Sequence, residues 1–273
     1  MRPLTWPYII VHLSIGFLLA NRLNFDLDIT FKYLLGVLVW ILGSGGTLAF
    51  NSFYDKDKGS ISWLNNPPPM PRKLLSFSLI LLFLGLILSF FVTSKFFIVY
   101  LICFILAIMY SHPSVRLKSI PGLDVLTNAL GYGVLVFYSG WAITNKPLNF
   151  EFIILLLAIF FLAAGAYPLT QIYQYEEDKK RGDKTTTIFL GKKRTLLLSS
   201  ILTTIGFLIF FYVVLTGYLS PLALIITPAL SYFYWRIFKW YKDVNKVDAK
   251  KEMYKASILV ILTDLAIIIA VFV

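Results

Sequence analysis

The sequence predicts an all-α integral membrane protein of about nine transmembrane helices, and three observations carry the prediction. First, only 14% of its 273 residues are charged, while 58% are hydrophobic and the mean hydropathy is +0.78. A soluble domain carries roughly 25% charged residues, so this chain lacks the polar surface to face water on all sides. Second, apolar residues come in continuous runs near the ~20 residues that cross a hydrocarbon core as a helix. Runs such as LILLFLGLILSFF (79–91) do not alternate as the strands of a membrane barrel would. Third, the basic residues are shared unequally between alternate connections, the pattern that fixes orientation in a bilayer.

Taken in order, the runs are 4–22, 31–53, 74–93, 96–111, 123–143, 151–175, 195–217, 220–240 and 254–273. The first follows a single arginine and has no small-residue cleavage site, so a retained helix is expected rather than a removed signal. The breaks carry Pro, Gly or charge: NNPPPMPRK (65–73), TSK (93–95), HPSVRLKSIPG (112–122), TNKP (144–147) and TGYLSP (216–221). Arg2, Lys255, the connections after the second, fourth, sixth and eighth runs, and Arg236 and Lys239 at the end of the eighth run hold 21 of the 25 Lys and Arg. The positive-inside rule then places the N-terminus in the cytoplasm and the C-terminus outside, in a cell inner or plasma membrane. The whole of 1–273 is expected to form a single domain. The net charge of +11 would suggest nucleic acid in a soluble protein; here it reads as topology and contact with anionic lipid, with no nucleic acid partner.

Isolated features read as packing. The one cysteine, Cys103, lies inside an apolar run and excludes an internal disulfide. GSGG (43–46), Gly131 and Gly133 fit close helix approach, since no Lys-Thr follows as in a phosphate loop. His12 and His112 stand alone and receive no ligand role. Asp124, after Pro121, either caps the fifth helix or orients Arg116 or Lys118. Asp264 within the last run is expensive in lipid and is expected to face protein or water.

Chemistry concentrates in two places. NSFYDKDKG (51–59) ends the second run, and its Asn51 and Asp55 share a helical face at i, i+4. QIYQYEEDKKRGDKTTTIFLG (171–191) ends the sixth, and there Gln171, Gln174 and Asp178 share a face beside Glu177. Both ends fall on the same predicted side. Charged helix ends of this kind are often simply solvated. The other reading is a metal site: carboxylate and amide oxygens suit Mg²⁺, which shares its shell with substrate phosphate. The nearby cations Arg116, Lys118, Lys179, Lys180, Arg181 and Lys184 suit a diphosphate.

With those motifs in order, the chain resembles the UbiA superfamily of intramembrane prenyltransferases. Asn51 and Asp55 match an N-x-x-x-D start after the second helix. In YSHPSVRLKSIPGLDVLTN (110–128), Tyr110, Ser111, Pro113, Arg116, Leu117, Lys118, Pro121, Leu123, Asp124, Leu126 and Asn128 match the family's middle stretch. Asp178, Gly182, Thr185, Leu190 and Gly191 match the end of the second motif. The chain departs where Gly59 holds the third acidic position, with Asp57 two residues earlier, and where Gln171 and Gln174 stand for carboxylates. The arginine that often follows the first motif is missing, and Arg72 is a substitute for it.

The resemblance implies a UbiA-type bundle around a cavity open to the cytoplasmic side. It implies Mg²⁺-dependent transfer of an isoprenoid from a prenyl diphosphate to a lipophilic acceptor, of which an aromatic or quinone precursor is the expected class. Asn51, Asp55 and Asp178, with Glu177, become the metal-binding catalytic set, and Arg116, Lys118, Arg72 and Lys184 the diphosphate contacts; Phe53, Tyr54 and Tyr173 are candidate cavity aromatics whose faces suit a carbocation, while each taken alone reads more readily as packing or interface belt. Two rivals stay open. A cyclase on the same fold would ionise the same substrate, and a transporter would show polar groups near the midplane, where this sequence has few.

Overall fold

The computed structural model describes residues 6–56 and 71–272. Its α-helices run in the order α1 (Trp6–Asn21), α2 (Leu27–Asp55), α3 (Leu74–Ser89), α4 (Ser94–Ser111), α5 (Leu123–Asn128), α6 (Val136–Ile143), α7 (Phe150–Arg181), α8 (Thr186–Leu190), α9 (Lys192–Leu215), α10 (Thr227–Lys242) and α11 (Ala249–Phe272). Among the described residues there is no strand. The helices α2, α4, α7, α9 and α11 are long and apolar enough to cross a membrane, and α1 and α3 are shorter apolar helices. Large apolar side chains such as Phe31, Ile80, Ile98, Phe150, Leu208 and Ile261 are exposed, a surface that suits lipid rather than water.

The chain forms two compact units, one of residues 1–117 with 135–147, the other of 118–134 with 148–273. In the first, small residues set the spacing. A Cβ on Gly16 would fall on Phe137 O of α6, and one on Gly140 would fall on Leu13 O of α1. The glycines of GSGG act in the same way: Gly46 abuts Leu82 of α3, and Gly43 abuts the Tyr100 ring of α4. Tyr100 donates its hydroxyl hydrogen to Leu82 O at 3.2 Å, and Trp40 Nε1 donates to Ser139 Oγ at 2.8 Å. Buried polar groups thus bond across helices, as an apolar surround requires.

In the second unit α7 and α9 lie together over most of their length. Gly206 abuts Leu162, while Gly165 abuts Thr203 and its carbonyl accepts from Ser199 Oγ at 2.5 Å. Gly133 packs on Ala163, as its sequence reading expects, but among the described residues Gly131 has nothing within 4 Å of where a Cβ would lie, so packing against them does not account for it. The run expected as one helix at 123–143 is α5, then a π-helical segment at 129–135, then α6; α10 likewise begins after a 3₁₀ turn at 221–226. The helix expected to stop at 175 continues to Arg181, because EEDKKR holds good helix formers, and Gly182 (φ 80°) then ends it in the left-handed region. Asp264 is buried in α11, and His12 is buried in α1 beside Tyr8, their ring centroids 4.2 Å apart.

Candidate functional site

The first acidic cluster occupies the last turn of α2. Asp26 starts this helix by accepting from Ile29 N at 2.8 Å, and Lys56, held at φ 50°, stops it one residue after Asp55. A carboxylate in a final turn lies in the negative field of the helix dipole, so the position favours a cation beside it. Here that cation is Arg116, whose Nη2 donates to Asp55 Oδ1 at 3.4 Å, longer than the ~2.7–2.9 Å of a strong charge-assisted bond. Arg116 itself sits at φ 45°, a strained placement for a non-glycine residue. Four residues before Asp55, Asn51 Oδ1 accepts from Ser111 Oγ at 3.0 Å. The end of α4 therefore holds the amide, and the turn after it brings the guanidinium to the carboxylate. Tyr54 stacks edge-on with Phe53 at 5.2 Å, Phe50 at 4.9 Å and His112 at 5.4 Å. His112 Nδ1 accepts from Ser114 N at 3.3 Å, so its role is to shape the turn.

The second cluster occupies the last turns of α7, again at a helix C-terminus. Arg181 bridges two carboxylates: Nη2 donates to Asp178 Oδ1 at 2.6 Å and Nε to Asp183 Oδ2 at 2.5 Å. Asp183 was not singled out by sequence reasoning; it follows the Gly182 cap, and its N–H bonds Asp178 O at 3.0 Å. Glu177, Gln174 and Tyr173 are half-buried, and Lys184 is exposed. Glu176 is spent on Lys192 at 3.3 Å.

Beneath this end lies a buried network. Asp124 is fully buried, and its Oδ2 accepts from Gln171 Nε2 and Thr186 N, each at 2.6 Å. Its Oδ1 accepts from Val125 N at 2.8 Å and from Thr186 Oγ1. Gln171 Oε1 in turn accepts from Thr187 N at 3.2 Å and Thr187 Oγ1 at 3.0 Å. Thr186 Oγ1 also accepts from Gly122 N at 2.8 Å, and Lys184 N donates to Ser119 Oγ at 3.0 Å. The position of a cap on α5 belongs to Gly122, so Asp124 is not that cap; it ties the 118–125 stretch to α7 and α8. Gln171 is consumed by the same task. The threonines 186 and 187 were missed because a threonine run gives no sign of which hydroxyls will be buried.

Among the described residues no three His, Cys, Asp or Glu side chains gather as a metal cluster. Each helix end by itself offers oxygen donors, an amide and one carboxylate at α2 and two carboxylates at the end of α7. That short, hard set fits Mg²⁺, which is commonly held by one or two carboxylates with substrate phosphate completing the shell. Arg72 is exposed at the start of α3, and Lys118 is buried. Asp57 and Gly59 lie outside the described residues.

A family model described as the UbiA prenyltransferase family matches residues 9–259. A UbiA homologue from Archaeoglobus fulgidus bound to DMAPP and Mg²⁺ is 26% identical with a TM-score of 0.74, covering 100% of this chain and 97% of the homologue. The same homologue bound to GPP and Mg²⁺ matches at 25% identity with a TM-score of 0.70, covering 100% and 98%. A UbiA homologue from Aeropyrum pernix K1 shares the fold at 16% identity, with a TM-score of 0.74 and 98% of each chain covered. No curated protein matches the sequence.

Proposed function

This chain belongs to the UbiA prenyltransferase family, and we propose that it transfers an isoprenoid from an allylic prenyl diphosphate to a lipophilic acceptor within the membrane. The observation that carries this reading is the end-to-end likeness to a homologue that binds DMAPP and Mg²⁺. Asn51, Asp55 and Asp178, with Glu177, are the proposed metal-binding set, and Arg116, Lys118, Arg72 and Lys184 the proposed diphosphate contacts. Bound with the diphosphate, Mg²⁺ supplies positive charge against the charge that grows on the leaving group.

The chain's own residues do the rest. Ser111 fixes the Asn51 amide so that its oxygen keeps one direction. Arg116 presents a planar fork whose long contact to Asp55 gives way to stronger phosphate bonds as charge develops. The allylic C–O bond breaks with its electron pair left on the diphosphate, the acceptor bonds to the carbon, and the acceptor's proton is lost. Apolar helices keep water from the cation, and the faces of Phe53, Tyr54 and Tyr173 stabilise it. The reading includes nine spans, one functional domain and a cytoplasmic N-terminus, supported by the 21 of 25 basic residues that lie in alternate connections or at the run ends beside them.

The test is to supply membranes containing the protein with labelled geranylgeranyl diphosphate, Mg²⁺ and a panel of acceptors, and to identify products by mass. A prenylated acceptor is expected. A cyclic hydrocarbon or alcohol released without acceptor replaces transfer by cyclisation, and no diphosphate release under any condition overturns both. Labelling of an introduced Lys184→Cys from the outer face alone would overturn the orientation.

A further inference from the structure

The last turns of α10, WRIFKWYK (235–242), are built on two faces. Phe233, Ile237 and Trp240 are buried at helical spacing. Trp235, Phe238, Lys239 and Lys242 are exposed on the other side. There Lys239 Nζ lies 4.0 Å from the Trp235 ring centroid and Lys242 Nζ 4.4 Å from that of Phe238. Such contacts hold ammonium groups beside apolar surface without neutralising them. Between this turn and the start of α11 is a cleft of about 550 Å³ whose walls include Arg236, Lys239, Trp240, Lys242 and Glu252.

The carboxylates of this cleft are already matched. Glu252 accepts from Arg236 Nη2 through Oε2, and from Lys255 Nζ through Oε1 at 3.3 Å. Asp243, also in the wall, lies 3.9 Å from Lys246 Nζ. Among the described residues Lys239 and Lys242 form no ion pair, so the cleft keeps net positive charge. It also keeps two unmet donors: Trp240 Nε1 and Arg236 Nε are buried without a hydrogen-bond partner, and Trp240 is only 1% exposed. A buried donor left unmade costs about 1–3 kcal/mol, and a native protein that retains one does so for a reason. Both donors belong to residues that line this one basic cleft, which suits an acceptor that carries negative charge.

We infer that this cleft binds the headgroup phosphate of an anionic phospholipid, with phosphate oxygens accepting from Trp240 and Arg236 and the charge met by Lys239 and Lys242. A lipid rather than free phosphate is favoured by the exposed rings of Trp235 and Phe238 at the rim and by Ile258 and Ile261 farther along α11, which offer apolar surface to an acyl chain. Basic residues near a membrane surface each contribute on the order of 1 kcal/mol toward anionic lipid, and aromatic side chains settle at headgroup depth. The cleft lies outside both acidic clusters. Lys193 of α9 stands 5.2 Å over the Tyr241 ring, so the end of α10 meets the start of α9. The inference does not depend on prenyl transfer.

Native mass spectrometry of the purified full-length protein tests it, counting retained lipid from equal phosphatidylglycerol and phosphatidylcholine of matched chains. Wild type is expected to retain phosphatidylglycerol preferentially. The double variant Lys239→Gln/Lys242→Gln is expected to lose that preference about tenfold, and Trp240→Phe, which removes only the N–H, severalfold. A Lys250→Gln/Lys251→Gln control removes equal charge outside the cleft and is expected to retain the lipid. Equal retention of both lipids, or unchanged preference in the lysine double variant, overturns the site; so does an equal loss in the control, which would mean general surface charge. Thermal protection by inorganic phosphate equal to that by phosphatidylglycerol overturns the lipid assignment. If Trp240→Phe fails to fold, the exposed lysine variants decide alone.

Discussion

The two acidic helix ends look alike in sequence and are built differently. At the end of α2 the contacts come from the end of α4 and the turn after it: the Ser111 hydroxyl donates to Asn51, and Arg116 reaches Asp55 at 3.4 Å. At the end of α7 they are cross-linked, with Arg181 clamped on two carboxylates and Asp124 accepting four hydrogen bonds below. The difference teaches that an acid's helical position tells where charge gathers, but not which partner from another element meets it.

The largest expected effect breaks the comparison at the acids themselves. Asp55→Ala and Asp178→Ala should each lower turnover by roughly 10²–10³, the scale of losing one strong electrostatic stabiliser. Circular dichroism should change little in either variant, while melting should fall in Asp178→Ala, which takes a buried carboxylate from the Arg181 clamp. Full turnover in either variant would remove that residue from the catalytic set.

Next comes the buried network. Asp124→Ala leaves the donors of Gln171, Val125 and Thr186 unmet and should destabilise, each buried donor left unmade costing about 1–3 kcal/mol. Gln171→Glu should also destabilise, since it sets a second carboxylate against Asp124. Thermal melting in detergent checks both. A Gln171→Glu protein as stable as wild type would mean that the amide is not required, and the contrast between the two ends would lose its main support.

A smaller effect falls on the turn after α4. Arg116→Lys keeps charge but loses the planar fork, so KM for prenyl diphosphate should rise about tenfold, ~1.4 kcal/mol, with the melting temperature held. Unchanged kinetics in Arg116→Ala with Lys118 also removed would leave these cations only a headgroup role.

The smallest concerns Arg181. Its guanidinium occupies Asp178, a carboxylate of the proposed metal set, so Arg181→Gln should tighten Mn²⁺ binding severalfold without diphosphate, read by electron paramagnetic resonance. Weaker or equal binding would show that the clamp does not compete with the metal.

Much of the fold was legible because a bilayer makes demands that a sequence must display openly. Lipid excludes unpaired backbone, so spanning segments must be apolar and helical. The runs at 31–53, 96–111 and 195–217 lie within a few residues of α2, α4 and α9. The acidic clusters were legible by spacing, since i, i+4 places Asn51 and Asp55 on one face wherever the helix goes.

What only tertiary structure decided is how each polar group is spent. Gln171 sits about two turns before Asp178 and looks like a member of the same face, yet packing turns it toward Asp124 and Thr187. Asp183, unremarked in the sequence, becomes a partner of Arg181 because the Gly182 cap folds the chain back on α7. Glu252 and Arg236 are 16 residues apart and pair only because α10 and α11 meet. Periodicity reports which face a residue occupies; the partner on that face comes from another element, at a distance no local pattern encodes.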